Sequence, residues 1–394
     1  MQIKWLTSLT QVSAAQWDGL FTAADDNPFC RHAFLLALEQ GGSVDTASSS
    51  YHSGWISQHL TVWQQDTLLA AVPGYYKLHS YGEYLFDWQI AEAYRQYQLP
   101  YYPKWIAAIP FTPVSGPRLG ILHDTLSATL MPILCDTLKQ RLATKELHSV
   151  QWLYPCAGLA QQLAAEGFLS RHDVQFLWHN EAYGSFDDFL QRLNARKRKQ
   201  IRAERSNSGA FTLATLHGNQ LTDNQWQAII RCYQATYIKR SGHQGYITEA
   251  SFKMLAKTMA DSLVVFAALA AGDEQQIVAA ALCFRSNNTL YGRYWGTLIP
   301  ADCLHFELCY YQGIDYCIRH KLEYFDAGAQ GEHKLKRGFV PVTRYGSYLF
   351  ADTPLTGAIA DYFTRETAQL QHYKNQAMQA LPFKQLPTDM PVNS

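Results

Sequence analysis

Hydrophobic positions recur at helical spacing over about 13–22, 28–40, 86–97, 124–146 and 157–166, and Asn27 stands where an N-cap for the second of these helices belongs. Between them lie short runs rich in β-branched and aromatic residues and bounded by Gly or Pro: HLTVWQQ, TLLAAVPGYYKL, YYPKWIAAIPF, SVQWLYP and DVQFLWH. These read as strands, and their alternation with helices predicts a mixed α/β sheet. The Ser- and Gly-rich stretch 41–54, GGSVDTASSSYHSG, reads as a long loop and a candidate lid or binding loop.

The pattern restarts near residue 180. Ser185 opens a basic helix (SFDDFLQRLNARKRKQIRAERS), and a strand AFTLATL, helices over about 222–240 and 248–260, and a hairpin with Gly-Asp and Asn-Asn turns follow. A helix over 303–320, the strand LEYFDAG, a loop, the strand RYGSYLF and a helix over 354–379 complete the chain. Two stretches repeat. Residues 150–178 align with 322–350, setting Gly167-Phe168 opposite Gly338-Phe339, and 68–88 resembles 277–296, setting Ala70-Ala71 opposite Ala279-Ala280. The second alignment makes 79–88 the counterpart of 291–296. A period near 170 residues fits a duplicated domain rather than a solenoid, and the expected division is 1–180 and 181–394.

Composition narrows the picture. Hydrophobic residues at 47% against charged residues at 17% belong to a chain that buries cores rather than one that stays disordered. A formal charge of +0 provides no global field toward nucleic acid or an acidic membrane, so any anion site is local. The eight cysteines contain no CxxC pair and most sit in apolar runs, as small core residues of a reduced compartment do, so a cytoplasmic location is expected. No apolar run approaches about 18 residues, which argues against an integral membrane protein. The sequence also lacks a GxSxG elbow, a Walker loop and HExxH, so serine-hydrolase, P-loop and zinc-enzyme readings lose their usual support and no metal is expected.

The densest candidate chemistry is the segment 326–338, which follows a strand. Its glycines allow close backbone approach, Gln330, Lys334, Lys336 and Arg337 can hold phosphate or carboxylate, and Glu332 or His333 can move a proton. The alternative is a solvated loop with glycine turns. Glu307 lies on the apolar face Glu307, Tyr311, Ile314, Ile318 of the 303–320 helix. A carboxylate buried there has a raised pKa and suits a general base, unless it is an ion-pair partner of Arg293 or Lys334 or a charge favoured by the helix N-terminus. His305 points roughly 160° away from it, the wrong spacing for a helical metal pair.

Tyr291 and Arg293, on the strand before that helix, are candidates for a general acid and an anion contact, against the alternative of a half-buried aromatic strand. In the first half His79, Glu83 and Asp87 are candidates for a pocket binding a peptide or cationic acceptor; alternatively Asp87 caps the next helix and Glu83 pairs on the surface. The basic run from Arg192 to Arg205 grips phosphates or is a solvated face.

The hairpin end LYGRYWG, the helix LHFELCYYQGIDYCIRH and the segment FDAGAQGEHKLKRGF, together with PFCRHAFLLALE, HSYGEYLFDW and YYPKWIAAIPFTPV, resemble the Fem-like (peptidoglycan biosynthesis/recognition) branch of the GNAT acyltransferase superfamily over nearly the whole chain. The resemblance implies an α/β fold of tandem duplicated GNAT-like domains, mixed sheets flanked by helices. It implies an N-acyltransferase or aminoacyltransferase acting on an amine acceptor, peptidoglycan-related or otherwise, with acyl-CoA or aminoacyl-tRNA as donor and a small molecule or peptide as acceptor. Against that pattern, the chain has neither a long heptad-patterned helical hairpin in its second half nor a Q/R-x-x-G-x-G/A loop that cradles coenzyme A pyrophosphate. The alternative reading is a non-catalytic recognition protein that binds a peptide, muropeptide or nucleotide-like ligand in an inter-domain cleft.

Overall fold

The computed structural model describes residues 1–22, 26–46, 53–207, 211–270, 272–329 and 331–385. The first part of the chain runs β1 (Gln2–Leu6), α1 (Ala14–Asp18), α2 (His32–Gln40), β2 (Trp55–Ser57), β3 (His59–Gln64), β4 (Thr67–Val72), β5 (Gly74–Lys77), α3 (Trp88–Gln96), β6 (Lys104–Ala107), β7 (Gly120–Ile121), α4 (Ser127–Ala143), β8 (Ser149–Leu153), α5 (Ala157–Ala165) and β9 (Leu169–His179). The remainder runs α6 (Phe186–Arg192), α7 (Ala195–Asn207), β10 (Thr212–His217), α8 (Asp223–Ser241), α9 (Glu249–Thr258), β11 (Leu263–Ala270), β12 (Asp273–Arg285), β13 (Thr289–Thr297), α10 (Leu304–Phe306), α11 (Gln312–His320), β14 (Tyr324–Asp326), β15 (Val340–Phe350) and α12 (Thr356–Gln379).

Local chemistry explains where these elements depart from the periodicity. Pro73 has no N–H to give a ladder, so TLLAAVPGYYKL is two strands, and β4 and β5 join different sheets. Asn27 caps a 3-10 turn, Pro28–Cys30, by accepting from the Phe29 N–H, and α2 starts only afterwards. The basic stretch is two helices. Ser185 caps α6, the chain breaks at buried Leu193, and the Asn194 side chain accepts from the Lys197 N–H to start α7. The long loop at 41–54 lies partly outside the described residues, at 47–52.

The chain divides into two units, Met1–Val174 with Thr343–Tyr373, and Gln175–Val342 with the segment starting at Lys374. The cuts fall inside β9, β15 and α12, so the last strand and helix serve mainly the first unit, which a single division near residue 180 does not contain.

In the N-terminal unit one sheet has the order β1-β3-β4-β7, and strands β15, β8, β6, β5 and β2 follow one another in a second. Its core gathers Leu60, Val62, Trp105, Leu134, Leu138, Val150, Trp152 and Leu163 from both sheets, α4 and α5. The C-terminal unit lays its strands in the order β10-β11-β12-β13-β14-β9.

The duplication is visible in backbone detail. Each unit contains a parallel strand pair, β6 with β8 (Lys104↔Ser149 to Ala107↔Trp152) and β13 with β14 (Thr289↔Tyr324 to Tyr291↔Asp326), joined through a helical crossover. Each pair leads to a Gly-Phe step, where Gly167 and Gly338 take φ of 91° and 84° before a buried Phe and an eleven-residue strand. The counterpart of β13 is therefore β6. Residues 79–88 instead form the connection between β5 and α3, a correction to the aligned repeat.

Candidate functional site in the C-terminal unit

α8 packs on the sheet at Gly296, where a Cβ would come within 1.7 Å of the Cys232 carbonyl oxygen, and the Thr236 hydroxyl donates to the Trp295 carbonyl at 2.7 Å. Only glycine permits that approach, and it brings the end of α8, Lys239 and Arg240, beside the end of β13. The register between β12 and β13 slips there. Leu282 faces Tyr294 while Cys283 faces Gly292, so Arg293 is the extra residue of a bulge. The bulged side chain is buried in an ion pair with Asp326 at 3.2 Å, and β13 runs on to Thr297 after its ladder with β14 has ended at Tyr291.

The helix that follows is not regular. Between α10 and α11 the residues Glu307–Tyr311 form a π turn, a feature that places extra side chains on one face and recurs at functional sites. Tyr310, from this turn, shares a hydrogen bond of 2.7 Å with His333 Nε2. His305, one turn earlier, has its ring 5.4 Å from Tyr310, 6.0 Å from His333 and 5.3 Å from Trp295.

His333 comes from a 3-10 turn, Glu332–Arg337, braced from beneath. Arg337 donates to the His333 carbonyl at 2.9 Å, to Tyr311 at 2.9 Å and to Glu204 at 2.7 Å, and stacks on Phe306. Tyr311 also donates to Glu204, and the Lys334 ammonium donates to the Gly328 carbonyl.

Burial, reinforced by the charges of His333, Arg240, Arg337 and Lys334, pushes the His305 pKa down to about 4. His333 is lowered for the same reasons, burial first and then Arg337, Lys334, Lys336 and Arg240. Both imidazoles are thus neutral near pH 7 and able to take a proton. Burial lowers Lys334 to about 8 against the pull of Asp326, and raises the Tyr310 phenol.

The other candidates fall into place around this group. Glu307 is 1% exposed, and its carboxylate is held by Arg205 at 3.0 and 3.2 Å and by Gln312 at 2.7 Å; the ion-pair partner is Arg205, not Arg293 or Lys334. Tyr291 is buried beside β14, Glu332 and Lys336 are exposed on the turn, and Gln330 lies outside the described residues. Among the described residues no group of three or more His, Cys, Asp or Glu is placed to hold a metal ion.

The N-terminal candidates sit in a different environment. Lys77, Glu83, Asp87 and Lys104 all have 0% exposed side chains. Lys104 donates to Glu83 at 2.7 Å, Asp87 at 2.5 Å and Ser80 at 2.9 Å, while Tyr101 and Gln151 donate to Asp87 at 2.5 and 3.1 Å. Burial pushes Glu83 up to about 7 and Lys77 down to about 7; for Asp87 burial is overcome by the Lys104 charge together with hydrogen bonds from Lys104, Ser80 and Tyr101, which hold it at about 2. Asp87 stands at the N-cap position of α3 but makes no side-chain cap, and Glu83 is not on the surface. His79 is half-buried, its Nδ1 accepting from the Tyr81 N–H.

Residues 8–385 match the FemAB_like family, peptidoglycan biosynthesis/recognition. The chain belongs to that family. Among solved structures it is similar to the C-terminal domain of a protein designated a lysylphosphatidylglycerol synthetase from Agrobacterium fabrum, with 10% identity and a TM-score of 0.54, covering 92% of this chain and 97% of that one. It is likewise similar to FemX, with 10% identity and a TM-score of 0.53, covering 91% of this chain and all of the other. No curated protein matches its sequence significantly. The FemAB_like chain therefore has the tandem GNAT-like α/β fold that its sequence resembles. No helix among the described residues is long and apolar enough to cross a membrane.

Two residues of this candidate site are not evident from the sequence. Tyr310 was hidden because a regular helix would have put it elsewhere, and Arg240 because it is separated by about 65 residues from His305. The one available signal was the left-handed Gly242, which ends α8 just after two cations.

Proposed function

We propose that this FemAB_like protein is an aminoacyltransferase or N-acyltransferase whose chemistry is carried by the C-terminal unit. The observation that supports it best is the His333–Tyr310 hydrogen bond at the end of the parallel strand pair, with neutral His305 alongside. The acceptor amine attacks the carbonyl carbon of an ester or thioester donor and a C–N bond forms. The amine proton passes to the Tyr310 oxygen as the Tyr310 proton passes to His333; the imidazolium then returns a proton to the departing oxygen or sulfur as the C–O or C–S bond breaks. A backbone N–H of the β13 segment beyond β14 polarises the donor carbonyl, and Lys334 supplies positive charge nearby. Glu307, Glu204 and Arg337 are positioning residues, and the roles first considered for Glu307 and Tyr291 fall to His333 and Tyr310. No covalent enzyme intermediate is needed.

The donor is aminoacyl-tRNA or acyl-CoA, the acceptor a peptide or small molecule of peptidoglycan or lipid chemistry, and the site of action the cytoplasm. The basic α7 supports the tRNA option, with Arg196, Lys199 and Arg202 exposed. A thermal-shift screen against alanyl-, seryl- and lysyl-tRNA, acetyl-CoA and muropeptides, followed by transfer assays, tests the reading. One donor class is expected to raise the melting temperature and to be consumed only when an amine is added. Muropeptide binding with no donor bound or consumed would instead establish the recognition reading.

A further inference from the structure

A cavity of about 650 Å3 lies beside the candidate site, between the end of α8 and the residues leaving β13. Its size is that of a small-molecule site. Trp295, Leu298, Ile299 and Pro300 give it an apolar wall, and Lys239 and Arg240 stand on the opposite side. Among the described residues neither cation is in an ion pair, although most arginines of α6 and α7 in the same unit are, as Arg192, Arg202 and Arg205 show.

The surface around the cavity is also unusual for this unit. Its exposed large apolar side chains among the described residues are Ile238, 53% exposed, and Leu298, 43% exposed. Ile238 precedes the two cations on α8 and Leu298 lines the cavity. Two apolar side chains left in water, two uncompensated cations and one cavity thus coincide, and the charge of Arg240 reaches His305, His333 and Tyr310. A polyanion such as RNA has no use for the apolar wall, and a neutral apolar ligand leaves the cations unanswered.

We propose that this cavity binds an anionic amphiphile, its phosphate head on Lys239 and Arg240 and its hydrocarbon body along Trp295 to Pro300, and presents it to the His333–Tyr310 pair. The role of the bound molecule as a reactant rests on the transferase reading; its binding does not. The same chemistry explains why the end of α8 is left apolar and basic at once, since lysine and arginine stems cover hydrocarbon while their heads hold phosphate.

The test is titration calorimetry of the full chain with dihexanoyl phosphatidylglycerol below its micelle concentration, compared with dihexanoyl phosphatidylcholine, glycerol 3-phosphate and a short single-stranded RNA. The anionic lipid is expected to bind at least roughly tenfold more tightly than the other three. Replacing both cations, Lys239→Gln with Arg240→Gln, is expected to weaken it by roughly ten- to a hundredfold, and Leu298→Asp by about tenfold. These positions are exposed or half-buried, and unchanged thermal melting confirms that the variants fold. Equal binding of glycerol 3-phosphate, of phosphatidylcholine or of RNA, no lipid binding at all, or indifference to both variants overturns the proposal. His333→Ala separates the two claims, because lipid binding is expected to persist within about twofold in it. Lipid binding without any donor consumption refutes only the transferase reading, and transfer to water-soluble amines without lipid binding refutes only this one.

Discussion

In the N-terminal unit Lys77, Glu83, Asp87 and Lys104 neutralise one another with no side-chain exposure, whereas in the C-terminal unit Lys239 and Arg240 have no ion pair among the described residues and two neutral histidines stand beside a cavity. Only Lys104, on β6, and His305, on the crossover between β13 and β14, belong to the duplicated parallel pairs; the other members come from elements the two units do not share. One unit has spent these charges on internal cohesion, and the other keeps its charges where a ligand can meet them. Burial is what separates them: a charge removed from water must be paired to be tolerated, and once paired it has no capacity left for a substrate.

The largest effect expected from breaking the comparison is on stability. Lys104→Ala strands two buried carboxylates, Glu83 and Asp87, and should cost roughly 3–5 kcal/mol by urea denaturation. Lys104→Met combined with Glu83→Gln and Asp87→Asn should recover a large part of it, since the stranded charges are gone.

The next effect is acid sensitivity in the C-terminal unit. His305 has a folded pKa of about 4 against an ordinary value of 6.5, so the unfolded chain takes up the proton first as pH falls. The stability this group provides is complete above about pH 6.5 and is lost between there and pH 4, by up to roughly 3 kcal/mol. His305→Phe should flatten that part of the stability–pH curve. An unchanged slope would mean that His305 is as easily protonated in the folded protein as in water.

A smaller effect is expected at the brace under His333. Glu204→Gln removes the charged partner of Arg337 and weakens the Tyr311 contact, and should cost roughly 1–3 kcal/mol. The smallest lies at the rim of α7, where Arg202 and Asp187 are 60% and 70% exposed; Arg202→Ala should change stability by less than about 1 kcal/mol.

Much of the fold was legible in the sequence because it is local. Gly167-Phe168 and Gly338-Phe339 mark the duplication in the sequence itself, since a left-handed glycine before a core aromatic is a backbone requirement that sequence records directly. Pro73 was equally visible, but its effect, sending β4 and β5 to separate sheets, depends on strand partners that periodicity does not reveal. The site was legible only in part. Glu307, His333, Lys334 and Arg337 do gather on neighbouring elements, yet which of them is committed elsewhere was not readable, because Arg205 and Glu204 arrive from α7, about a hundred residues away. For Glu83 and Asp87 a charged, aromatic-rich loop looked like a pocket; burial of Lys104 beneath it made it a sealed network.

Transfer measured in a single turnover with the donor class that the screen identifies, on the wild type, His333→Gln and Glu83→Gln side by side, tests the division of labour most directly. His333→Gln should lower the rate by roughly 10²–10⁴-fold with donor affinity unchanged, while Glu83→Gln, checked to be folded, should stay within about threefold of wild type. Full activity in His333→Gln, or its loss in folded Glu83→Gln, would contradict the assignment of chemistry to the C-terminal unit.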